Sequence, residues 1–177
     1  AKNGARVILA EDKPRFGGSL LTSDVNIGNQ TGVEWTEKII AELKSMPNVT
    51  VKNRSQVFGY YDHNMLVMSE RISDHLPKTQ KYLPKQRLWY IRANEVLISS
   101  GSIERPLVFG NNDTPGVMLS SAAKEYMKVY GVLVGKKPLI FTNNDSGYET
   151  AIEFKKNGVN PITVSYTHLR AHETVHY

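Results

Sequence analysis

The fold is decided by a short stretch near the start of the chain, Arg6-Val7-Ile8-Leu9-Ala10-Glu11. Its continuous apolar run is typical of a parallel strand that is buried on both faces. The pair Asn3-Gly4 precedes it, and such a pair commonly ends a helix because glycine adopts the left-handed conformation there. We therefore expect residues 1–4 to be the last turn of a helix, with the body of an N-terminal βα unit missing upstream of Ala1.

Apolar periodicity assigns the remaining elements. Helical spacing predicts helices over residues 36–46, 120–130 and 147–157. A period of two predicts an inserted antiparallel β layer over about residues 49–94, with a hairpin turn at Asp62-His63-Asn64 and a strand over residues 88–91. Further strands are predicted over residues 96–99, 138–142 and 161–164.

This alternation of strands and helices predicts an α/β fold. The specific expectation is a doubly wound, Rossmann-like FAD/NAD(P)-binding fold with the antiparallel layer inserted into it. Residues 1–119 would form a partial dinucleotide-binding domain, and residues 120–164 would begin a second Rossmann-like unit.

Glu11 is the first candidate for a functional residue, because it stands at the carboxyl end of the first predicted strand. In a dinucleotide-binding βαβ unit, an acidic residue at the end of the second strand accepts hydrogen bonds from the ribose hydroxyls. Gly17-Gly18-Ser19 follows, and a glycine pair lets backbone pass close to a dinucleotide. Glu11 alone is more often a solvated strand end; with the glycine pair, it predicts a dinucleotide site.

Composition narrows the function classes. The chain of 177 residues has a net charge of +5 and no cysteine, which excludes a disulfide scaffold, a thiolate zinc site and a dithiol flavoprotein reductase. The basic residues near 78–87 are predicted to form a solvated loop, so we expect no nucleic-acid partner. No apolar run reaches the ~18 residues of a membrane helix. We expect no membrane or metal partner and a cytoplasmic location.

Several longer motifs follow one another along the chain: Glu11–Leu21, Val57–Asn64, Gln86–Ala93, Ile103–Phe109, Asn111–Met118 and Phe141–Ser146. In this order, from about Ala1 to Val164, the chain resembles the α (large) subunit of heterotetrameric sarcosine oxidase. The Gly-Gly motif is shared by many flavoproteins. The runs Phe58-Gly59-Tyr60-Tyr61-Asp62-His63-Asn64 and Thr142-Asn143-Asn144-Asp145 are far more discriminating.

The resemblance implies a complex that oxidatively demethylates sarcosine to glycine, a one-carbon unit (formaldehyde or methylene-tetrahydrofolate) and hydrogen peroxide. It implies NAD on this subunit, FAD and FMN in the complex with FMN at the α/β interface, and tetrahydrofolate bound downstream of this fragment. The partners would be the β, γ and δ subunits of a heterotetramer. Because the flavin that takes the substrate hydride lies on the β subunit, we expect no catalytic residue here and an inactive isolated fragment.

The motif match also implies a set of cofactor-binding residues. The expected lining of the NAD site is Glu11, Asp12, Lys13, Gly17, Gly18, Ser19, Val57 and Gly101, with Val57 offering its backbone to the adenine. Gly101 ends Ser99-Ser100-Gly101, where many relatives of the wider fold have Ala-Thr-Gly. Because serine keeps a hydroxyl, we expect little loss at Ser100.

The turn after the strand at residues 139–141 departs from a phosphate cradle. A cradle would need glycines, whereas this turn has Thr142-Asn143-Asn144-Asp145-Ser146-Gly147, and Asp145 would repel a pyrophosphate. We therefore predict that Asp145 or Ser146 caps the following helix.

Two other functions stay open on the sequence. One is the large subunit of a related amine, opine or amino-acid dehydrogenase with FAD in place of NAD. The other is a non-catalytic scaffold subunit. The tail is separate from all of these, because Val164–Thr174 is similar to a sequencing adapter translated in frame. We expect residues 165–177 to be an artefact, and the evenly spaced His168, His172 and His176 not to form a metal site.

Overall fold

The computed structural model of the chain describes residues 1–78 and 82–165. The chain divides into two compact units, Ala1–Ser99 and Ser100–Tyr177, and each is described by itself below. In both units, strands and helices are mixed, which confirms the expected α/β class. The doubly wound arrangement stays a prediction, because each parallel sheet in the described residues has two strands.

The first unit begins with a parallel strand–helix–strand motif. Strand β1 (Val7–Ala10) pairs in parallel with β4 (Val49–Lys52), from Val7 opposite Val49 to Ala10 opposite Lys52. Helix α1 (Gly32–Ser45) makes the crossover and packs on β4. A short antiparallel pair, β2 (Asn26–Ile27) and β3 (Gln30–Thr31), leads into the helix. The expected parallel pairing is confirmed, but the expected burial on both faces is wrong: Val7, Leu9 and Ala10 are half-buried and Ile8 is 44% exposed.

Helix α1 begins at Gly32, four residues before the predicted start, because a capping box fixes its N-terminus. The Glu34 N–H donates to Thr31 Oγ1 over 3.3 Å, and the Thr31 N–H donates to Glu34 Oε2 over 2.9 Å. These two bonds satisfy backbone donors that the first turn leaves without helical partners. The Thr-x-x-Glu spacing at residues 31–34 was the signal in the sequence.

The antiparallel layer is a sheet of three strands, β5 (Ser55–Tyr61), β6 (Met65–Arg71) and β7 (Gln86–Arg92). The predicted start of this layer near residue 49 was wrong, because residues 49–52 belong to the parallel pair. The predicted hairpin turn is confirmed: Asp62–Asn64 connects β5 to β6, with His63 and Asn64 in the left-handed region.

The strand predicted over residues 96–99 does not form. A strand needs a neighbour to accept its backbone hydrogen bonds, and no strand of the described residues pairs with this segment. Its apolar side chains are accordingly in solvent, with Leu97 91% and Ile98 70% exposed. An apolar pattern alone therefore overpredicted a strand here.

The second unit contains another parallel strand–helix–strand motif. Strand β8 (Leu139–Thr142) pairs in parallel with β9 (Ile162–Ser165), and α3 (Asp145–Lys156) connects them. Helix α2 (Ser120–Tyr130) precedes them, and Gly131 follows it with a left-handed φ of 65°. The core of the unit is formed by Ala123, Met127, Ile140 and Phe154. Of the expected artefact at residues 165–177, residues 166–177 lie outside the described residues.

Two side chains cap the helices of this unit in unexpected ways. The predicted N-cap of α3 at Asp145 or Ser146 was wrong: Asn144 is the cap, and its Oδ1 accepts the Ser146 N–H over 3.0 Å. Asn144 takes the N-cap position because it is the last extended residue before the helix. At α2, Glu104 from the preceding loop accepts the backbone N–H of Ser121 over 2.7 Å. Its carboxylate lies at the positive end of the helix dipole, where a negative charge is stabilising.

Replacing Gly147 by alanine should destabilise the second unit. Alanine normally stabilises a helix interior by about 0.5–1 kcal/mol relative to glycine. Here, a Cβ on Gly147 would overlap the Thr142 side chain of β8, and such overpacking costs about 1–3 kcal/mol. Urea unfolding followed by circular dichroism would measure the loss. Gly135→Ala is the control, because nothing lies within 4 Å of a Cβ there; equal stability of both variants would contradict the prediction.

Candidate functional site

The carboxyl ends of β1 and β4 hold Glu11 in place. The Glu11 N–H donates to the Lys52 carbonyl over 2.9 Å, and the Glu11 carbonyl accepts the Ser55 N–H over 2.8 Å. Both backbone groups of Glu11 are therefore bound to the segment that ends β4 and begins β5. Its half-buried side chain leaves the sheet edge at a fixed point.

The Glu11 carboxyl is oriented by its own chain. The Lys13 backbone N–H donates to Glu11 Oε1 over 3.0 Å. Burial raises the pKa of the Glu11 carboxyl, and the neighbouring Asp12 raises it further, while the Lys13 N–H bond lowers it. A carboxylate has about four lone-pair positions. Acceptor capacity therefore remains for the hydroxyl groups of a ligand.

Residues 11–14 are attached to the rest of the unit through four successive carbonyls. After the Glu11 carbonyl, those of Asp12, Lys13 and Pro14 also accept hydrogen bonds. Their donors are Arg71 Nη2 at 2.9 Å, the Arg54 N–H at 3.0 Å and Asn53 Nδ2 at 2.7 Å. Sequence analysis missed these donors, because Arg71 is 59 residues from Asp12 along the chain.

The glycine pair after this segment has structural reasons of its own. Gly17 has a φ of 127° and Gly18 a φ of 51°, both in the region that favours glycine. A Cβ on Gly17 would lie 3.1 Å from Leu21 Cδ2 and 3.3 Å from Thr36 Cγ2. The pair opens a 3-10 turn over Gly18–Leu21 that packs against α1. Its role toward a dinucleotide stays a prediction.

The other predicted site residues lie in both units. Asp12, Lys13 and Ser19 are exposed on the segment that follows β1. Val57 lies on β5, two residues after Ser55, and is 42% exposed beside a bulge in the β5–β6 pairing. The first unit thus holds seven of the predicted residues, and Gly101, with a φ of 71°, belongs to the second.

A charged cluster that sequence analysis missed connects β4 to the antiparallel sheet. Glu70 on β6 binds Lys52 Nζ over 2.8 Å and accepts the Trp89 indole N–H over 2.7 Å. Arg87 lies 3.5 Å from the same carboxylate. Lys52 and Arg87 also lie 5.0 Å and 5.6 Å from the Trp89 ring centre, within cation–π distance. Period-two spacing could have placed Arg87 and Trp89 on one face, but not Lys52 beside them.

The opposite face of the antiparallel sheet carries an open apolar groove of about 420 Å³. It is lined by Phe58, Tyr61, Met65, Val67, Leu88 and Tyr90. Among the described residues, no group of three or more histidine and acidic side chains could hold a metal ion. No helix of residues 1–78 and 82–165 is long and apolar enough to cross a membrane.

Comparison with a solved structure supports the fold. The chain matches the crystal structure of L-proline dehydrogenase from P. horikoshii with a TM-score of 0.69 and 22% identity. The match covers 90% of this chain and 30% of that chain. At this level of identity, the likeness shows a shared fold and nothing more.

The sequence identity to curated proteins is higher than that to the solved structure. The chain is 43% identical over 161 residues to sarcosine oxidase subunit alpha of Rhizobium meliloti (strain 1021) and 36% identical over 160 residues to that of Corynebacterium sp. (strain P-1). These matches cover 91% and 89% of this chain, which spans 16% of each relative's length. No protein-family profile matches the chain. The predicted resemblance to the sarcosine oxidase α subunit is confirmed.

The charged cluster gives the first unit a measurable pH dependence. Burial opposes ionisation of Glu70, but its hydrogen bonds to Lys52 and Trp89 and the charge of Arg87 together lower its pKa below the ordinary value of 4.5. Glu70 therefore stabilises the fold above that value, and the stabilisation is lost as the pH falls through the lowered pKa.

Glu70→Gln should lower the thermal midpoint at neutral pH and reduce its further fall on acidification from about pH 5. Glu95→Gln is the control, because Glu95 is exposed on the segment after β7. Thermal unfolding monitored by tryptophan fluorescence at several pH values would make the comparison. Parallel pH curves for the Glu70 variant and the unchanged chain would contradict the prediction.

Proposed function

We propose that the chain is a segment of the NAD-binding α subunit of a sarcosine-oxidase-type complex. The observation that carries the proposal is the half-buried Glu11 carboxyl at the carboxyl end of β1, within a parallel strand–helix–strand unit. In a dinucleotide-binding unit, the carboxylate that accepts the ribose hydroxyls ends the second strand, which is the place that this proposal gives to β1 in the full-length subunit. The 43% identity to the R. meliloti α subunit supports the choice of complex.

Each proposed site residue has a defined task. Glu11 binds the ribose hydroxyls, and the exposed Asp12, Lys13 and Ser19 line the same side of the adenosine. Gly17 and Gly18 form the compact turn beside them, and Val57 offers backbone to the adenine. Gly101, which belongs to the second unit, stays a cofactor-binding residue on the resemblance alone. The remaining acceptor capacity of Glu11 fits hydroxyl groups and disfavours an additional phosphate, because two negative charges would repel.

The reaction we propose for the whole complex is oxidative demethylation of sarcosine to glycine, a one-carbon unit and hydrogen peroxide. The β, γ and δ subunits are the proposed partners, with FAD and with FMN at the α/β interface. Tetrahydrofolate, which accepts the one-carbon unit, would bind in a further part of the α subunit. In the full-length subunit, this segment contributes the ribose side of the NAD site and performs none of the bond-breaking steps.

The second candidate is the alternative that the sequence leaves open, the large subunit of a related amine, opine or amino-acid dehydrogenase with FAD in the dinucleotide site. The fold shared with L-proline dehydrogenase is compatible with it. Cofactors extracted from the full-length subunit separate the two candidates. One NAD per subunit supports the first proposal, and one FAD on the isolated subunit supports the second.

Glu11→Ala in the full-length subunit should weaken NAD binding about tenfold or more, because charge-assisted hydrogen bonds to the ribose are lost. Isothermal titration calorimetry with NAD measures the change, and Glu95→Ala, which removes an exposed carboxylate, provides the control. If Glu11→Ala changes neither nucleotide content nor amine turnover of the complex, the chain is a scaffold segment instead.

The 177-residue chain by itself should bind NAD no tighter than about millimolar and should not oxidise sarcosine. A dinucleotide pyrophosphate is held mainly by a glycine-rich turn and the helix N-terminus after it. In the described residues, β1 follows the turn at residues 1–4, and the β8–α3 turn carries Asn143, Asn144 and Asp145 where a cradle needs glycine. Micromolar binding in calorimetry would show that the site is misplaced and would point to the β8–α3 turn.

A further inference from the structure

We propose that Arg71 is a positioning residue for the ribose-binding carboxylate, acting on Glu11 through the peptide bond between Asp12 and Lys13. The inference rests on the proposed NAD site. It assigns to the inserted antiparallel sheet a part in nucleotide binding, because Arg71 is the last residue of β6.

The geometry consists of two hydrogen bonds at opposite ends of one peptide group, one at its C=O and one at its N–H. Arg71 Nη2 donates to the Asp12 carbonyl over 2.9 Å. The N–H of the same peptide group belongs to Lys13 and donates to Glu11 Oε1 over 3.0 Å. Because a peptide group is rigid and planar, fixing its carbonyl also fixes the direction of its N–H. Arg71 thereby determines where the Glu11 carboxyl points.

Arg71 is itself well placed for this task. Its backbone N–H donates to the Arg54 carbonyl over 2.9 Å, and its backbone is paired with Gln86 of β7. Of the four successive carbonyls at residues 11–14, that of Asp12 alone accepts from a charged side chain among the bonds described above; the other three accept from neutral N–H groups. A cationic donor polarises the peptide and strengthens the hydrogen bond that the opposite N–H makes.

If Arg71 acts through the Lys13 N–H, its loss should change the pH at which Glu11 is protonated. The charged groups that act on the Glu11 carboxyl are Asp12 and Lys13 on its own segment. Lys52 and Arg54 contact this segment through their backbone, and the Arg71 guanidinium binds the Asp12 carbonyl. The Lys13 N–H bond lowers the Glu11 pKa against the effects of burial and Asp12. Losing Arg71 would release that N–H, so the carboxyl would become protonated at a higher pH.

The test uses the full-length subunit in its complex, with NAD as the probe. Arg71→Met should weaken NAD binding about fivefold at neutral pH, and the pH below which affinity falls should move upward. Arg71→Lys, which keeps the charge and one donor, should recover most of both effects. Arg92→Met is the matched control, because it removes the same charge from an exposed position on β7 and should leave both values unchanged.

A double-mutant cycle with Glu11→Ala decides whether Arg71 acts through Glu11. If it does, adding Arg71→Met to Glu11→Ala should weaken NAD binding no further. Independent, additive losses would overturn the inference, and so would an Arg71→Met complex that binds NAD with unchanged affinity and pH dependence. If Glu11→Ala alone has no effect, the proposed function fails instead. Thermal unfolding of each variant shows whether a loss of NAD affinity is caused by misfolding. If Arg71→Met misfolds, the NAD affinity of the Arg71→Lys variant provides the test instead.

Discussion

The parallel pairing of β1 with β4 is the constraint on which the first unit depends. Its register puts Ala10 opposite Lys52, so both strands end at the same edge. Beyond the regular strands, the Glu11 N–H donates to the Lys52 carbonyl and the Glu11 carbonyl accepts the Ser55 N–H. The acidic segment therefore leaves the sheet at a point set by backbone bonds. The same backbone bonds therefore fix the position of any functional side chain at this edge.

The end of β6 supports the same edge with two consecutive side chains. Glu70 binds Lys52, whose carbonyl receives the Glu11 N–H, and Arg71 binds the Asp12 carbonyl. The antiparallel sheet thus contacts both parallel strands where they end. An insertion that looks like an accessory layer in the sequence is, in the structure, part of the support of the candidate site.

Local patterns predicted much of the fold and less of the site. The helix at 120–130 and the Asp62-His63-Asn64 turn were predictable, because periodicity and left-handed residues act over a few neighbours. The strand at 96–99 was not, because an apolar run does not show whether a partner strand exists. Glu11 was recognisable at a strand end, whereas Arg71 became visible only when the chain returned to it after 59 residues. The helix N-caps were partly predictable: Asn144 and Thr31 have side chains suited to capping and the right spacing, but the apolar pattern placed the helix starts at later residues.

The two tryptophans of the chain, Trp35 on α1 and Trp89 on β7, both lie in the first unit. Trp89 lies within cation–π distance of Lys52 and Arg87 and donates its indole N–H to Glu70, so its emission wavelength depends on the charges at the edge beside Glu11. The second unit contributes no indole signal at all. Tryptophan fluorescence therefore reports on the first unit of this chain alone, and its state can be followed without adding a dye.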